Sequence, residues 1–220
     1  RSLYEGSSGY AKGGQQITLS WSKLTSKRVG FTIGLNGNRN PLDTRQIGYE
    51  VFSPLTLKPV VGAEIPVVPP MSTETNYNNI NFEKSFWLTA SLQAGGYCEL
   101  PFNKLKTLKL TGRLTAGALY AKLPELKGTA FTDSTIATFF QNKCSAVGFA
   151  YTIGAGLKHS FEEKICLLFN INYAATVDLK FKNVIHPGTI NASAIMFQKT
   201  MDLKQSVNLL SFSFGVGLQL

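Results

Sequence analysis

Seven separate segments of the chain alternate apolar and polar residues with a period of two, and no other feature restricts the fold as much. Side chains on a strand point alternately to opposite faces, so this pattern marks strands with one apolar side. Segment 15–24 sets Ile17, Leu19 and Trp21 against Thr18, Ser20 and Ser22, and 29–37 sets Val29, Phe31, Ile33 and Leu35 against Gly30, Thr32, Gly34 and Asn36. Segment 84–100 runs from Phe86 through Leu92 to Leu100, with Trp87, Ser91, Gln93, Tyr97 and Glu99 opposite. Segment 107–121 places Leu110, Leu114 and Tyr120 opposite Lys109, Thr111, Arg113 and Thr115. Segment 146–160 (Val147 to Leu157), segment 165–181 (Ile165 to Leu179) and segment 207–220 (Leu210 to Leu220) repeat the arrangement. The polar face of 165–181 includes Asp178 and Lys180. The apolar faces so defined carry no charged residue and no Asn, Gln, Ser or Thr.

Hairpin parity supplies an independent check, because a one-residue slip would move a whole strand to the wrong face. Pairing Trp21 with Phe31, Leu100 with Leu108 and Leu157 with Phe169 keeps apolar opposite apolar across all three short turns. The connections alternate between turns of a few residues and long stretches at 38–83, 122–145 and 182–206. Six of the chain's 9 prolines fall between 41 and 70, which argues against a central strand there.

An apolar face can look inward, as in a lipocalin-like barrel, or outward onto lipid. Several segments are longer than the roughly 9–11 residues a tilted strand needs to cross a bilayer. The opposite faces are rich in glycine and carry charges of both signs, which suits a narrow polar lumen. Short turns at one end and long loops at the other complete the pattern of a transmembrane barrel. Helical spans are excluded, since no run approaches about 18 apolar residues.

The expected fold is all-β: an antiparallel up-and-down transmembrane β-barrel occupying 1–220 as a single domain. Bacterial single-chain barrels have an even strand number, so eight strands are expected, the unrecognised one preceding Arg1, using 1–8, or lying in 46–68. The net charge of +9 is spread over turns, connections and strand interiors. It forms no basic stripe with interleaved aromatics, so nucleic acid is not an expected partner. Cys98, Cys144 and Cys166 fall on the apolar face, in a long connection and on the polar face respectively. That separation predicts three free thiols.

The runs GYAKGGQQITLSW (9–21), RVGFTIGLNGNRNPLD (28–43), WLTASLQAGGYCELPF (87–102), FAYTIGAGLKHSF (149–161) and NLLSFSFGVGLQL (208–220) resemble the small, eight-stranded type of outer-membrane β-barrel protein found in Bacteroidota-type Gram-negative bacteria. The ending resembles the signal read by the barrel-assembly machinery, although it closes on Leu220 rather than an aromatic residue. The resemblance implies integral residence in the bacterial outer membrane. Related barrels include components of the type IX secretion apparatus.

Some outer-membrane barrels of this size modify lipid A with a His–Ser pair and an acidic residue, and His159-Ser160 with Glu162 and Glu163 invites that comparison. Adjacent strand residues point to opposite faces, however, so the pair cannot meet without a bulge. His159 is better read as part of an interfacial girdle, and His186 has no partner at metal-ligand spacing. Inward Glu99, Lys109 and Arg113 suggest either a selectivity filter or an ion-paired plug helped by Trp87 and Tyr97. The expected diameter favours the plug.

No catalytic, cofactor-binding or metal-ligating residue is assigned, and no cofactor is expected. The expected function is a non-enzymatic, membrane-anchored scaffold, an accessory subunit of a larger outer-membrane complex for secretion, assembly or uptake. The alternatives are a narrow channel for small solutes and a lipid-A-modifying enzyme. Expected partners are outer-membrane lipid, lipopolysaccharide and other outer-membrane or periplasmic proteins.

Overall fold

A computed structural model describes residues 11–45, 47, 79–102, 107–131, 136–161, 164–186, 188–190 and 199–218. Its strands are β1 (Gln15–Leu24), β2 (Val29–Pro41), β3 (Asn79–Phe82), β4 (Phe86–Pro101), β5 (Leu108–Leu123), β6 (Leu126–Phe131), β7 (Ile136–Gln141), β8 (Cys144–Phe161), β9 (Ile165–Thr176), β10 (Leu179–His186), β11 (Gly188–Ile190), β12 (Lys199–Gln205) and β13 (Asn208–Leu218). Seven of them form one curled antiparallel sheet in the order β1-β2-β4-β5-β8-β9-β13. These are the seven alternating segments of the sequence, in sequence order, and they make a half-barrel. Among the described residues β1 and β13 are its two edges.

The polarity of this half-barrel is inverted relative to a water-soluble domain. Ile17 (80%), Val147 (72%), Phe214 (73%) and Leu218 (76%) are exposed on the outer face. Thr32, Ser91, Gln93, Thr111, Thr115, Thr152 and Asn172 are buried on the inner face. Folded domains normally bury their large aliphatic side chains, so the outer face forms an apolar band far larger than the patches monomeric soluble proteins expose. Close strand approach accompanies the curl. A Cβ on inner-facing Gly95 would strike the backbone carbonyl of Leu114, and one on Gly117 that of Leu92.

Strand parity holds across the three short hairpins, but two of the three expected registers shift by two residues. Trp21 pairs with Ile33 and Leu100 with Leu110, while Leu157 pairs with Phe169 as expected. Trp21 still meets Phe31 diagonally, edge to face, with ring centroids 5.2 Å apart. A slip of two preserves the faces, so alternation could not detect it. The first turn is tied instead by Thr25 and Ser26 N–H groups donating to the Val29 carbonyl at 3.0 and 2.9 Å.

The described parts of the three long connections lie at one end and carry strands of their own. Antiparallel β3, β6, β7 and β11 form a four-stranded sheet in the order β11-β7-β6-β3, and β10 pairs with β12. Residues 1–10 and 48–78, including most of the 46–68 candidate for an eighth strand, lie outside the described residues.

Segment 165–181 is not one strand: β9 stops at Thr176 and β10 begins at Leu179. Across this break the buried side of the chain changes. Leu179 and Phe181, expected or adjacent to the outer face, are fully buried, whereas Asp178 and Lys180 are exposed instead of inward. A bulge between Phe181 and Val184 then lets residues three apart both point inward. Asn183 sits there at φ 56°, a left-handed conformation that Asn tolerates better than most residues.

Phe181 and Val184 join Trp87, Leu119, Leu123, Leu126, Leu179 and Leu203 in an apolar core at this end. Trp87 therefore does point inward, but it packs on Phe181 (6.0 Å, 67°) in the core rather than filling a polar lumen. Along β5 the inner face changes from Lys109, Thr111, Arg113 and Thr115 to Leu119, Ala121 and Leu123. The outer face changes at the same level from Tyr120 to Lys122. Below that level the molecule is apolar outside and polar inside; above it, a cap has the ordinary polarity of a domain in water.

Candidate functional site: the polar interior and the cap

Near the turn end, a carboxylate from β4 is surrounded by groups from three strands. Glu99 Oε1 accepts hydrogen bonds from Lys158 Nζ (2.7 Å) and Tyr97 Oη (2.7 Å), and Oε2 accepts from Lys109 Nζ (2.8 Å). Lys109 and Lys158 stand directly opposite each other on the β5–β8 ladder, and the glutamate separates their like charges. With its side chain only 5% exposed, Glu99 depends on these partners, since a buried lone charge is strongly disfavoured. The sequence places Glu99 and Lys109 on the same inward face of neighbouring strands. Lys158, 49 positions further along the chain than Lys109, enters only through the fold.

Higher in the interior, Arg113 Nε donates to Asn172 Oδ1 at 2.9 Å. A polar lattice continues with Thr115 to Gln93 (2.9 Å), Ser22 to Thr32 (2.8 Å), Asn36 to Ser91 (3.3 Å) and Asn38 to Thr89 (3.1 Å). A cavity of about 30 Å³ remains among these residues, room for one or two water molecules. Gln16 Oε1, Asn38 Oδ1 and Asn172 Nδ2 are buried without a hydrogen-bond partner among the described residues, and all three residues line that cavity. Gln16 lies on β1 and the lining residue Ser211 on β13, so the curl brings the two edge strands to one interior space.

His159 and Ser160 are consecutive on β8 and point to opposite faces of the sheet. Both sit in an unbroken ladder, His159 between Leu108 and Leu167, and Ser160 opposite Cys166. The His159 ring packs edge-on against Phe161 at 4.4 Å on the outer face, next to the short turn. Glu162, Glu163 and the His186 side chain lie outside the described residues. Among the described residues no cluster of three His, Cys, Asp or Glu side chains is placed to hold a metal. Cys98, Cys144 and Cys166 are free, and the Cys166 thiol, buried on the inner face, donates to Gly217 O at 3.5 Å.

In the cap, side chains tie the connections together. Gln141 Nε2, fully buried, donates to Pro124 O at 3.0 Å. Asn142 accepts from Ile185 N–H (2.7 Å) through Oδ1 and donates to Asn183 O (3.2 Å) through Nδ2, joining the second long connection to the third. Burial raises the Cys144 thiol above its ordinary pKa in this region. None of these cap contacts is readable from the sequence, because they join residues with no common period. Comparison of the chain with protein-family models, with curated proteins and with solved structures finds no match.

Proposed function

We propose that this chain is a bacterial outer-membrane β-barrel that anchors its cap at the membrane surface as a non-enzymatic scaffold, an accessory subunit of a larger outer-membrane assembly. The observation that carries the reading is the inverted polarity of the half-barrel beneath a cap of normal polarity. On β5 the apolar face runs ten steps from Leu110 to Tyr120, about 33 Å along a strand at ~3.3 Å per residue. At the ~40° tilt of such barrels this is about 25 Å of height, the thickness of their apolar belt. An open sheet with this face would aggregate in water.

Parity supports an eight-stranded closed ring. Seven antiparallel strands leave β1 and β13 running in the same direction, so an eighth strand between them completes an antiparallel ring. The small cavity and the Glu99–Lys109–Lys158 cluster support a plugged interior over a channel. Function then falls to the cap, whose three connections are welded into one apolar core. The test is expression with a cleavable secretion signal in a Gram-negative host, followed by purification of the outer-membrane fraction in mild detergent. The expected result is a heat-modifiable, β-rich protein with no unitary conductance in planar bilayers, co-purifying with a defined partner chain when isolated from its native membrane. A monodisperse monomer without detergent refutes the membrane reading, and discrete conductance steps refute the plug.

A further inference from the structure

At the upper edge of the apolar band the outer face of β2, β4, β5 and β8 changes character within one row of the ladder. Arg39 pairs with Leu88, Leu88 with Lys122 and Lys122 with Ser145, so the two cations flank Leu88 on the same face. Their Cα atoms lie about 10 Å apart across two strand spacings. The next row toward the turns is Gly37, Ala90, Tyr120 and Val147. Beyond it, Leu35, Leu92, Ala118 and Phe149 make an uninterrupted apolar row.

The cation row forms the floor of an open cleft of about 470 Å³, and Lys84 and Lys143 reach it from the cap side. Four cations therefore meet a single carboxylate, Glu125, and that carboxylate is held by Lys127 at 2.7 Å. Among the described residues Arg39, Lys84, Lys122 and Lys143 have no carboxylate within salt-bridge distance. The Arg39 guanidinium lies over the Phe86 ring, 3.9 Å from its centroid, which fixes its position at the mouth of the cleft. Packing four cations around one carboxylate that is already ion-paired to Lys127 leaves an excess of positive charge in the empty site, and an anion relieves it.

We propose that this cleft binds the phosphate-bearing headgroup of an anionic lipid, whose acyl chains lie down the outer face over Leu88, Leu92 and Tyr120. The inference rests on the membrane reading above and adds to it a specific place and charge. Continuity of the cleft with the apolar rows selects a lipid over a soluble anion. A free phosphate would use the cations and leave the apolar surface below them bare. The geometry divides the ligand's work: Arg39 and Lys122 hold phosphate oxygens, Lys84 and Lys143 add field from above, and the strand face receives the chains.

The experiment uses the full chain in a neutral maltoside detergent, with dioleoyl phosphatidic acid as the probe and dioleoyl phosphatidylcholine as the uncharged-headgroup control. Retention is read by native mass spectrometry and affinity by fluorescence titration. Phosphatidic acid should be retained and phosphatidylcholine should not. The R39Q/K122Q double variant should weaken phosphatidic acid binding about 30-fold, from a contribution of roughly fivefold per surface cation. K84Q/K143Q should weaken it less, and K23Q/K27Q, which removes the same charge near the opposite end of the sheet, should leave it unchanged. Equal weakening by K23Q/K27Q would mean non-specific attraction and overturn the site. So would displacement of the lipid by inorganic phosphate at equal concentration, which would show that the chains contribute nothing. Heat-modifiability is recorded for every variant. A chain that is heat-modifiable yet shows no preference for phosphatidic acid overturns the site alone. One that stays monodisperse without detergent overturns the site and the membrane reading together.

Discussion

Replacing Ile153 with arginine puts a charge near the middle of the outer face, and its effect on stability is large in lipid and small in water. Ile153 lies midway along β8, flanked on the same face by Leu114 and Tyr173, and is 56% exposed. If the band faces water, the arginine is solvated, loses little packing and changes stability by no more than about 0.5 kcal/mol. It would also improve solubility by interrupting an apolar patch. If the band faces hydrocarbon, an arginine near the midplane of a transmembrane barrel costs about 2–4 kcal/mol. At 1.36 kcal/mol per decade, that lowers the folding equilibrium constant about 30- to 900-fold. The assay is reversible urea unfolding of protein inserted in phosphocholine vesicles, followed by tryptophan fluorescence, with folded fraction checked by the unboiled gel shift. Lys122→Ile, at the rim, serves as the depth control and should shift stability far less. A destabilisation below about 0.5 kcal/mol for Ile153→Arg in vesicles would refute the assignment of the outer face to lipid.

Three further perturbations probe the interior, the cap and the thiols. Glu99→Gln leaves Lys109 and Lys158 facing each other without their shared carboxylate, and should destabilise the protein by about 3 kcal/mol. Adding Lys158→Met should restore part of this loss in urea unfolding, and no recovery would mean that the charges are not what the substitution disturbs. Phe181→Ala empties a fully buried site beside Trp87 and should cost about 3–5 kcal/mol. Limited trypsin digestion should then cut at exposed Lys180 or Lys182 while the heat-modifiable shift survives, and loss of both together would show that cap and sheet are one cooperative unit. A membrane-impermeant maleimide on intact cells should modify Cys144 alone. Because burial raises that thiol's pKa, little thiolate is present at neutral pH, and the labelling rate should climb through and beyond pH 9. A rate already flat at pH 8 would contradict that environment.

The seven-stranded sheet was legible in the sequence because alternation and turn length are local. Ile17, Leu19 and Trp21 can share a face only in an extended chain, and a short turn transmits that parity to Ile33 and Leu35 without any knowledge of the rest of the molecule. Parity is blind to an even slip, so pairing Trp21 with Ile33 instead of Phe31 was decided by the bonds of the first turn. The exposure of Val147 and Phe214 and the burial of Gln93 and Asn172 also needed the curled sheet, since alternation by itself does not say which face is concave. Local period fails altogether where burial is set by distant elements. Leu179 continues the apolar rhythm of β9, yet the break after Thr176 turns it inward to cover Gly148, whose missing Cβ makes the room. Lys158 completes the Glu99 cluster, and Arg39, Lys84, Lys122 and Lys143 share one cleft, because neighbouring strands and connections bring together residues far apart in sequence. The chain's periodicity thus determined which residues form strands and which share a face. Registers, cap and charge clusters were decided by tertiary packing, which alone sets the spacing between residues that no local repeat connects.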